Sequence, residues 1–137
     1  MAHSGLDQFT ATLKGAGMRS TPLRRRIYSC LAESSEPLTT NQIISAMDNA
    51  HFVSVYRSLD ALTRIGVLKQ VPIGLKHRYE LSDAFKPHHH HITCEVCGRS
   101  VAIENSAVES LMERITRDAG LQPTKHHFEA YGVCNNH

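Results

Sequence analysis

The sequence predicts an α+β protein of two small domains, on three observations. Apolar residues at helical spacing dominate the first 66 residues, an alternating segment with a Pro-Ile-Gly turn follows, and the last 50 gather seven of the ten histidines and three of the four cysteines. A chain of 137 residues, 41% hydrophobic and 20% charged, has room for one or two such domains. No run of about 18 apolar residues occurs, and the start MAHSGLDQF lacks the basic-then-apolar order of a secretory signal. The expectation is a cytoplasmic protein with no membrane contact. There, four cysteines point to metal binding or buried thiols rather than a disulfide framework.

Leu6, Phe9 and Leu13 predict a first helix that Gly15 and Gly17 end. Ser20 or Thr21 can cap a second helix with Pro22 near its first position, buried through Leu23, Ile27, Cys30 and Leu31, which makes Cys30 a core residue. A short third helix follows Pro37, capped by Thr39 or Thr40 and buried through Ile43, Ile44 and Met47. In HFVSVYRSLDALTRIGVL, Val55, Leu59 and Leu62 form the buried stripe and Gly66 the stop. Ser54, Tyr56, Arg57, Ser58 and Arg64 are left off it, so a packed helix displays hydroxyls, an aromatic ring and cations. Val67 to Val71 and Lys76 to Leu81 then predict a β-hairpin. Helix, turn, helix and hairpin describe a winged helix-turn-helix domain over residues 1–81, whose last helix would enter the major groove.

Residues 82–87, SDAFKP, predict a hinge. Residues 88–137 predict a small α/β dimerisation domain: strands HHHHITC and SVAIE around a CEVCG turn, a helix from Ser106 whose Val108, Leu111, Met112 and Ile115 face one way until Gly120 stops it, and a last strand within Phe128 to Val133. A core of that size is marginal without a staple or a partner. Charge divides at the same place: residues 1–87 hold eleven Lys and Arg against seven Asp and Glu, and residues 88–137 hold four against six. The first segment has the mild basic bias of a nucleic-acid binder.

Cys94-Glu-Val-Cys97-Gly is a zinc knuckle, two thiolates able to grip one ion across a tight turn. Cys134-Asn-Asn-His137 repeats the spacing, and together they make a Cys₃His set, a closed tetrahedral zinc shell. A redox role for Cys94 and Cys97 would need a different βαβ setting. On a strand, His88 and His90 face one way and His89 and His91 the other, so the run predicts two metal sites. Glu109 and His126 can complete the first, unless Ser106-Ala-Val-Glu109 is a capping box that engages Glu109 at its own helix end. Glu80 can complete the second, with Asp83 and His77 in reserve. His127, His3 and His51 read as surface residues.

Tyr56 and Arg57 stand where a recognition helix meets base edges: Arg can fork onto guanine O6 and N7, and Tyr can pack on a thymine methyl. Lys14, Arg19, the run Arg24-Arg25-Arg26, Lys76 and Arg78 can pair with phosphates. A metalloenzyme would need an apolar cleft and a general base, and no HExxH or comparable arrangement occurs. A metal buffer would not need Tyr56 and Arg57 on an exposed helix face.

The string V-S-V-Y-R-S-L-D-A-L-T-R-I-G-V-L, then HHHHITCEVCG, a helix and Y-G-V-C, resembles the ferric uptake regulator family of metal-dependent bacterial transcription factors over nearly the whole chain. The resemblance implies a winged-helix domain with an α/β dimerisation domain. It implies a homodimer on double-stranded DNA at an AT-rich inverted repeat, and repression of metal-uptake or metal-homeostasis genes with Zn²⁺ or Fe²⁺, or Mn²⁺, as corepressor. By position it implies structural zinc on Cys94, Cys97, Cys134 and His137, and a regulatory site of His88, His90, Glu109 and His126. It further implies a second regulatory site from Glu80, His89 and His91, and DNA reading by Lys14, Arg19, Ser54, Tyr56 and Arg57. The chain departs from common family patterns: His137 replaces the second cysteine of a closing CxxC, Ala102 stands where many iron and peroxide sensors have a carboxylate, and Pro37-Leu38 where they often have His. These departures weigh against peroxide sensing and toward the zinc uptake branch, although Ser82 lies near the position where many zinc sensors carry Cys.

Overall fold

The computed structural model describes residues 2–73 and 76–135, and eleven helices and strands occur among them. They fall into two units, residues 1–87 and 88–137.

In the first unit α1 (Ala2–Gly15) and α2 (Pro22–Glu33) form an N-terminal pair. Thr21 is the N-cap of α2, its side chain accepting from the Arg24 amide at 3.2 Å, with Pro22 at the first turn. The two-residue strand β1 (Leu38–Thr39), too short to be legible in the sequence, leads into α3 (Thr40–Ala46). Thr39 and Gln42 cap α3 reciprocally, at 3.2 and 2.8 Å. The helix α4 (Phe52–Arg64) ends at Gly66, whose φ of 84° lets Val67 N–H reach Leu62 C=O and Gly66 N–H reach Thr63 C=O, a Schellman closure. Strands β2 (Leu68–Ile73) and β3 (Lys76–Leu81) pair antiparallel, and the sheet order is β1-β3-β2. Pro72, which cannot donate, is tolerated because β2 is an edge strand. Phe9, Leu13, Ile27, Leu31, Ile43, Val55, Leu59, Leu62 and Val67 are fully buried in one core. Cys30 packs against that core half-buried rather than inside it, and Ser58, expected off the stripe, is buried beside Leu59.

Residues 82–87, expected as a hinge, are tied to the first unit. Ser82 N–H and Oγ–H donate to Val67 and Gly66 carbonyls at 2.9 and 2.7 Å. Gln8 donates to the Ala84 carbonyl, and Phe85 meets Tyr28 edge-on at 5.8 Å. Lys86 Nζ caps the end of α2 by donating to the Leu31 and Ser34 carbonyls, each at 3.0 Å. Composition reads this segment as polar and Pro-terminated, whereas the side chains of Phe85 and Lys86 find partners far back along the chain, Lys86 at Leu31, 55 residues away.

In the second unit β4 (His90–Cys94) and β5 (Ser100–Ile103) pair antiparallel across the knuckle, α5 (Ser106–Asp118) follows, and β6 (Glu129–Gly132) lies parallel to β4 on its other side. The sheet order is β5-β4-β6. Asn105, not Ser106, caps α5, its side chain accepting from the Ala107 and Val108 amides at 2.9 and 3.3 Å. On the apolar face of α5 Val108 and Met112 are half-buried, while Leu111 and Ile115 are 45% and 54% exposed. The buried residues described in this unit are His90, His91, Thr93, Cys94 and Ser100, which is a polar set rather than an apolar core. No helix among the described residues is long and apolar enough to cross a membrane.

Candidate metal centres and DNA-reading face

Four side chains converge on one point in the second unit: His88 and His90 from the start of β4, Glu109 from the first turn of α5, and His126 from the segment before β6, with one donor atom from each within 4.8 Å of the others. Strand alternation puts His88 and His90 on one face. Because Asn105 takes the capping role, Glu109 is released from the helix end and its carboxylate turns to the imidazoles, so the capping-box reading of Ser106 and Glu109 is set aside. The Glu109 carboxylate bonds His90 Nε2, and lies 2.7 Å from His126 Nε2 and 3.4 Å from His88 Nε2. The His88 and His126 Nε2 atoms are 3.2 Å apart. Desolvation pushes the Glu109 carboxyl up, but the His90 hydrogen bond and the charges of His126, His88 and His90 together outweigh it and hold its pKa below the usual carboxylate value. An ion bound tetrahedrally at about 2.05 Å sets nitrogen and oxygen donors about 3.3 Å apart, which the separations of His88 from His126 and from Glu109 match, while Glu109 lies closer to His90 and His126 in direct polar contacts. The residues fit a divalent ion with a taste for imidazole and carboxylate, such as zinc or iron.

A second group is made of sulfur. Cys94 ends β4, Cys97 lies in the knuckle, and Cys134 follows β6. The parallel pairing sets Gly132 opposite Cys94 and lets Glu95 N–H bond the Gly132 carbonyl at 2.8 Å, which delivers Cys134 to the knuckle from 40 residues away. Cys97 and Cys134 Sγ are 3.7 Å apart, too far for a disulfide and near the spacing of about 3.8 Å that zinc–sulfur bonds impose on a tetrahedron. The Cys97 and Cys134 amides donate to Cys94 Sγ at 3.5 and 3.4 Å and draw its pKa down to about 5. Cys134, hydrogen-bonded to Cys94 and Cys97 and sharing their charge, is pushed up to about 11. His137, expected as the fourth ligand, lies outside the described residues.

At pH 7, therefore, Cys134 holds a proton that an incoming zinc must displace. Zinc affinity is expected to rise with pH across neutrality, about tenfold per unit for each proton released. Titration calorimetry in two buffers of different ionisation enthalpy counts those protons, and a heat independent of buffer contradicts the arrangement.

Of the third expected set, Glu80 lies in the first unit and His89 and His91 in the second. Glu80, on β3, is buried and 3.4 Å from Lys69 Nζ, while Asp83, once a reserve, pairs with Lys69 at 2.9 Å. In the second unit the His89 and His91 rings meet edge to face at 4.8 Å, and Ser100 Oγ lies 3.5 Å from His91 Nδ1. His127 is exposed, as expected, near Glu129 at 3.3 Å.

On the first unit, α4 buries Val55, Leu59 and Leu62 and leaves Ser54, Tyr56 and Arg57 exposed, with Lys14 and Arg19 exposed at and beyond the end of α1. The run Arg24-Arg25-Arg26 is engaged with backbone: its guanidiniums donate to the carbonyls of Arg19, Ser20 and Asp48 at 2.7, 2.6 and 3.3 Å. Sequence reasoning passed over Phe52, which is 57% exposed at the start of α4.

The profile of the ferric uptake regulator family matches residues 15–131. The chain belongs to the ferric uptake regulator family. It is 28% identical to the ferric uptake regulation protein of Campylobacter jejuni over 138 residues, covering 96% of this chain and 87% of that one. It is 30% identical to the peroxide-responsive repressor PerR of Staphylococcus epidermidis, covering 94% and 87%. In structure it resembles the Helicobacter pylori ferric uptake regulator with a TM-score of 0.86 at 23% identity, over 99% of this chain and 93% of that one, which supports the fold. Ferric uptake regulator family members are dimeric, metal-dependent DNA-binding transcription regulators and not enzymes.

Proposed function

We propose that this chain is a homodimeric, cytoplasmic, metal-responsive repressor of metal-uptake or metal-homeostasis genes. Cys94, Cys97 and Cys134, with His137, hold a structural Zn²⁺. His88, His90, Glu109 and His126 hold the regulatory ion, Zn²⁺ or Fe²⁺, with Mn²⁺ also compatible with the carboxylate. The observation that carries this reading is the division of one small unit into two donor sets of different softness. Thiolates suit permanent zinc, and imidazoles with a carboxylate suit an exchangeable ion. The second set draws from β4, α5 and the segment before β6, so an ion there links three elements of the dimerisation unit. The Helicobacter pylori relative has three functional metal binding sites, and here the His89 and His91 pair offers the beginning of another. The carboxylate absent at Ala102 favours metal sensing over peroxide sensing.

DNA reading falls to Ser54, Tyr56 and Arg57 on α4, with Lys14 and Arg19 on phosphates. A two-fold dimer presents two such helices to an inverted repeat, and metal and DNA affinities are then linked reciprocally. Fluorescence anisotropy on AT-rich palindromic duplexes, with and without zinc, iron or manganese, tests this. Metal is expected to tighten binding about 5- to 150-fold, and Arg57→Ala to weaken it about tenfold. Metal-independent binding that ignores Arg57→Ala sinks the repressor reading.

The dimer has its own test. Leu111 and Ile115 form an apolar stripe on α5 that the protomer leaves exposed, with Val101 on β5 also 43% exposed. Leu111→Asp with Ile115→Asp is expected to halve the mass seen in sedimentation without lowering the zinc content. An unchanged mass places the dimer contact elsewhere.

A further inference from the structure

The start of α4 carries three aromatic rings outside the hydrophobic core. Phe52 and Tyr56, four residues apart, flank the buried stripe of Val55, Leu59 and Leu62 and are 57% and 49% exposed. His51 caps the helix, its Nδ1 accepting from the Val53 amide at 3.3 Å, so the neutral ring carries its proton on the outward Nε2. That imidazole stacks on Phe52 with centroids 5.1 Å apart and planes 19° apart, and Tyr56 meets Phe52 edge-on at 6.4 Å. A phenyl ring held by contact with two others gives up little rotamer freedom on binding.

From this ridge we infer that Phe52 is a specificity-determining residue that packs on a thymine C5-methyl in the major groove, with His51 and Tyr56 as positioning residues. The inference rests on the DNA-binding reading above. Residues at the N-terminal end of a recognition helix reach the base edges, and Phe52 is the first residue of α4. A phenyl face has no donor or acceptor to read, and the thymine methyl is the apolar group that the major groove displays; cytosine offers an amino donor there instead. The neighbours fit the same surface, since Arg57 and Ser54 stand exposed beside the ridge. Three rings are also far short of the roughly 800 Å² per partner that a stable protein interface covers.

The test starts from duplexes selected from a randomised pool by the full-length protein with zinc. Each thymine of the winning duplex is then replaced in turn by deoxyuridine, which removes the methyl and keeps the pairing edge. Wild type is expected to lose affinity at one such position in each half-site. Phe52→Ala is expected to bind the thymine duplex about tenfold more weakly and to be indifferent to uracil there, and Phe52→Leu to lie between. Thermal unfolding of both variants serves as the folding check, since Phe52 is outside the core. Phe52→Ala that binds like wild type, or that keeps the full uracil penalty, overturns the inference and leaves the ridge to a protein partner. Wild type that selects no duplex with zinc, iron or manganese overturns the regulator reading itself, and this inference with it.

Discussion

Cys97→Ser is expected to remove zinc from the chain and to unfold the second unit while leaving the first folded. The buried residues described in residues 88–137 are His90, His91, Thr93, Cys94 and Ser100, and no described residue of α5 is fully buried. Such a unit has little hydrophobic drive of its own. In the proposed arrangement one ion joins the end of β4, the knuckle and the segment after β6, closing a loop of 40 residues between Cys94 and Cys134. Structural zinc in small domains supplies an apparent 10–16 kcal/mol of folding free energy at about neutral pH, far above the roughly 1 kcal/mol that an ordinary substitution costs. Metal analysis after chelation is expected to find about one tight zinc per chain in wild type and none in Cys97→Ser. Thermal unfolding of the variant is expected to retain only the transition of the first unit, whose core from Phe9 to Leu81 is self-contained. A Cys97→Ser protein that keeps its zinc contradicts the thiol assignment.

His90→Ala is expected to abolish metal-dependent DNA binding with the structural zinc retained. His90 is 3% exposed and its Nε2 bonds the Glu109 carboxylate, so truncation removes one ligand and one of the partners that lower the Glu109 pKa. Losing a supporting residue around a metal costs about 10- to 100-fold in affinity, and loss of a ligand itself is expected to exceed that range. Glu109→Gln separates the two contributions: the amide keeps the shape and a carbonyl oxygen but loses the charge, and the expected loss is smaller. Metal-stimulated anisotropy on the selected duplex, beside zinc content, is the readout. Undiminished stimulation in His90→Ala would falsify the regulatory assignment of this set.

The metal centres differ in how much of them the linear chain reveals. Strand alternation alone separates His88 and His90 from His89 and His91, and the pairing of rings follows it. The knuckle is equally local, two thiolates on a tight turn that Gly98, at φ 77°, completes. Glu109 is ambiguous in sequence because Ser106 and Asn105 can both cap a helix, and only the packed backbone decides that Asn105 does so. The segment 82–87 misleads for a similar reason: its partners, Gln8, Tyr28 and Leu31, are distant along the chain.

By itself, then, the sequence determined the helices, the caps of α2 and α3, the hairpin, the division into a basic first unit and a metal-rich second, and the ligand types. Each of these depends on residues within a few positions of one another, where periodicity, capping and charge act. Tertiary structure alone decided that β6 runs parallel to β4 and so brings Cys134 to the knuckle, that His126 reaches Glu109, and that Phe52 is left standing between His51 and Tyr56. Those outcomes turn on long-range pairing and on which face of a helix finds a core to bury against, and neither is encoded in local spacing.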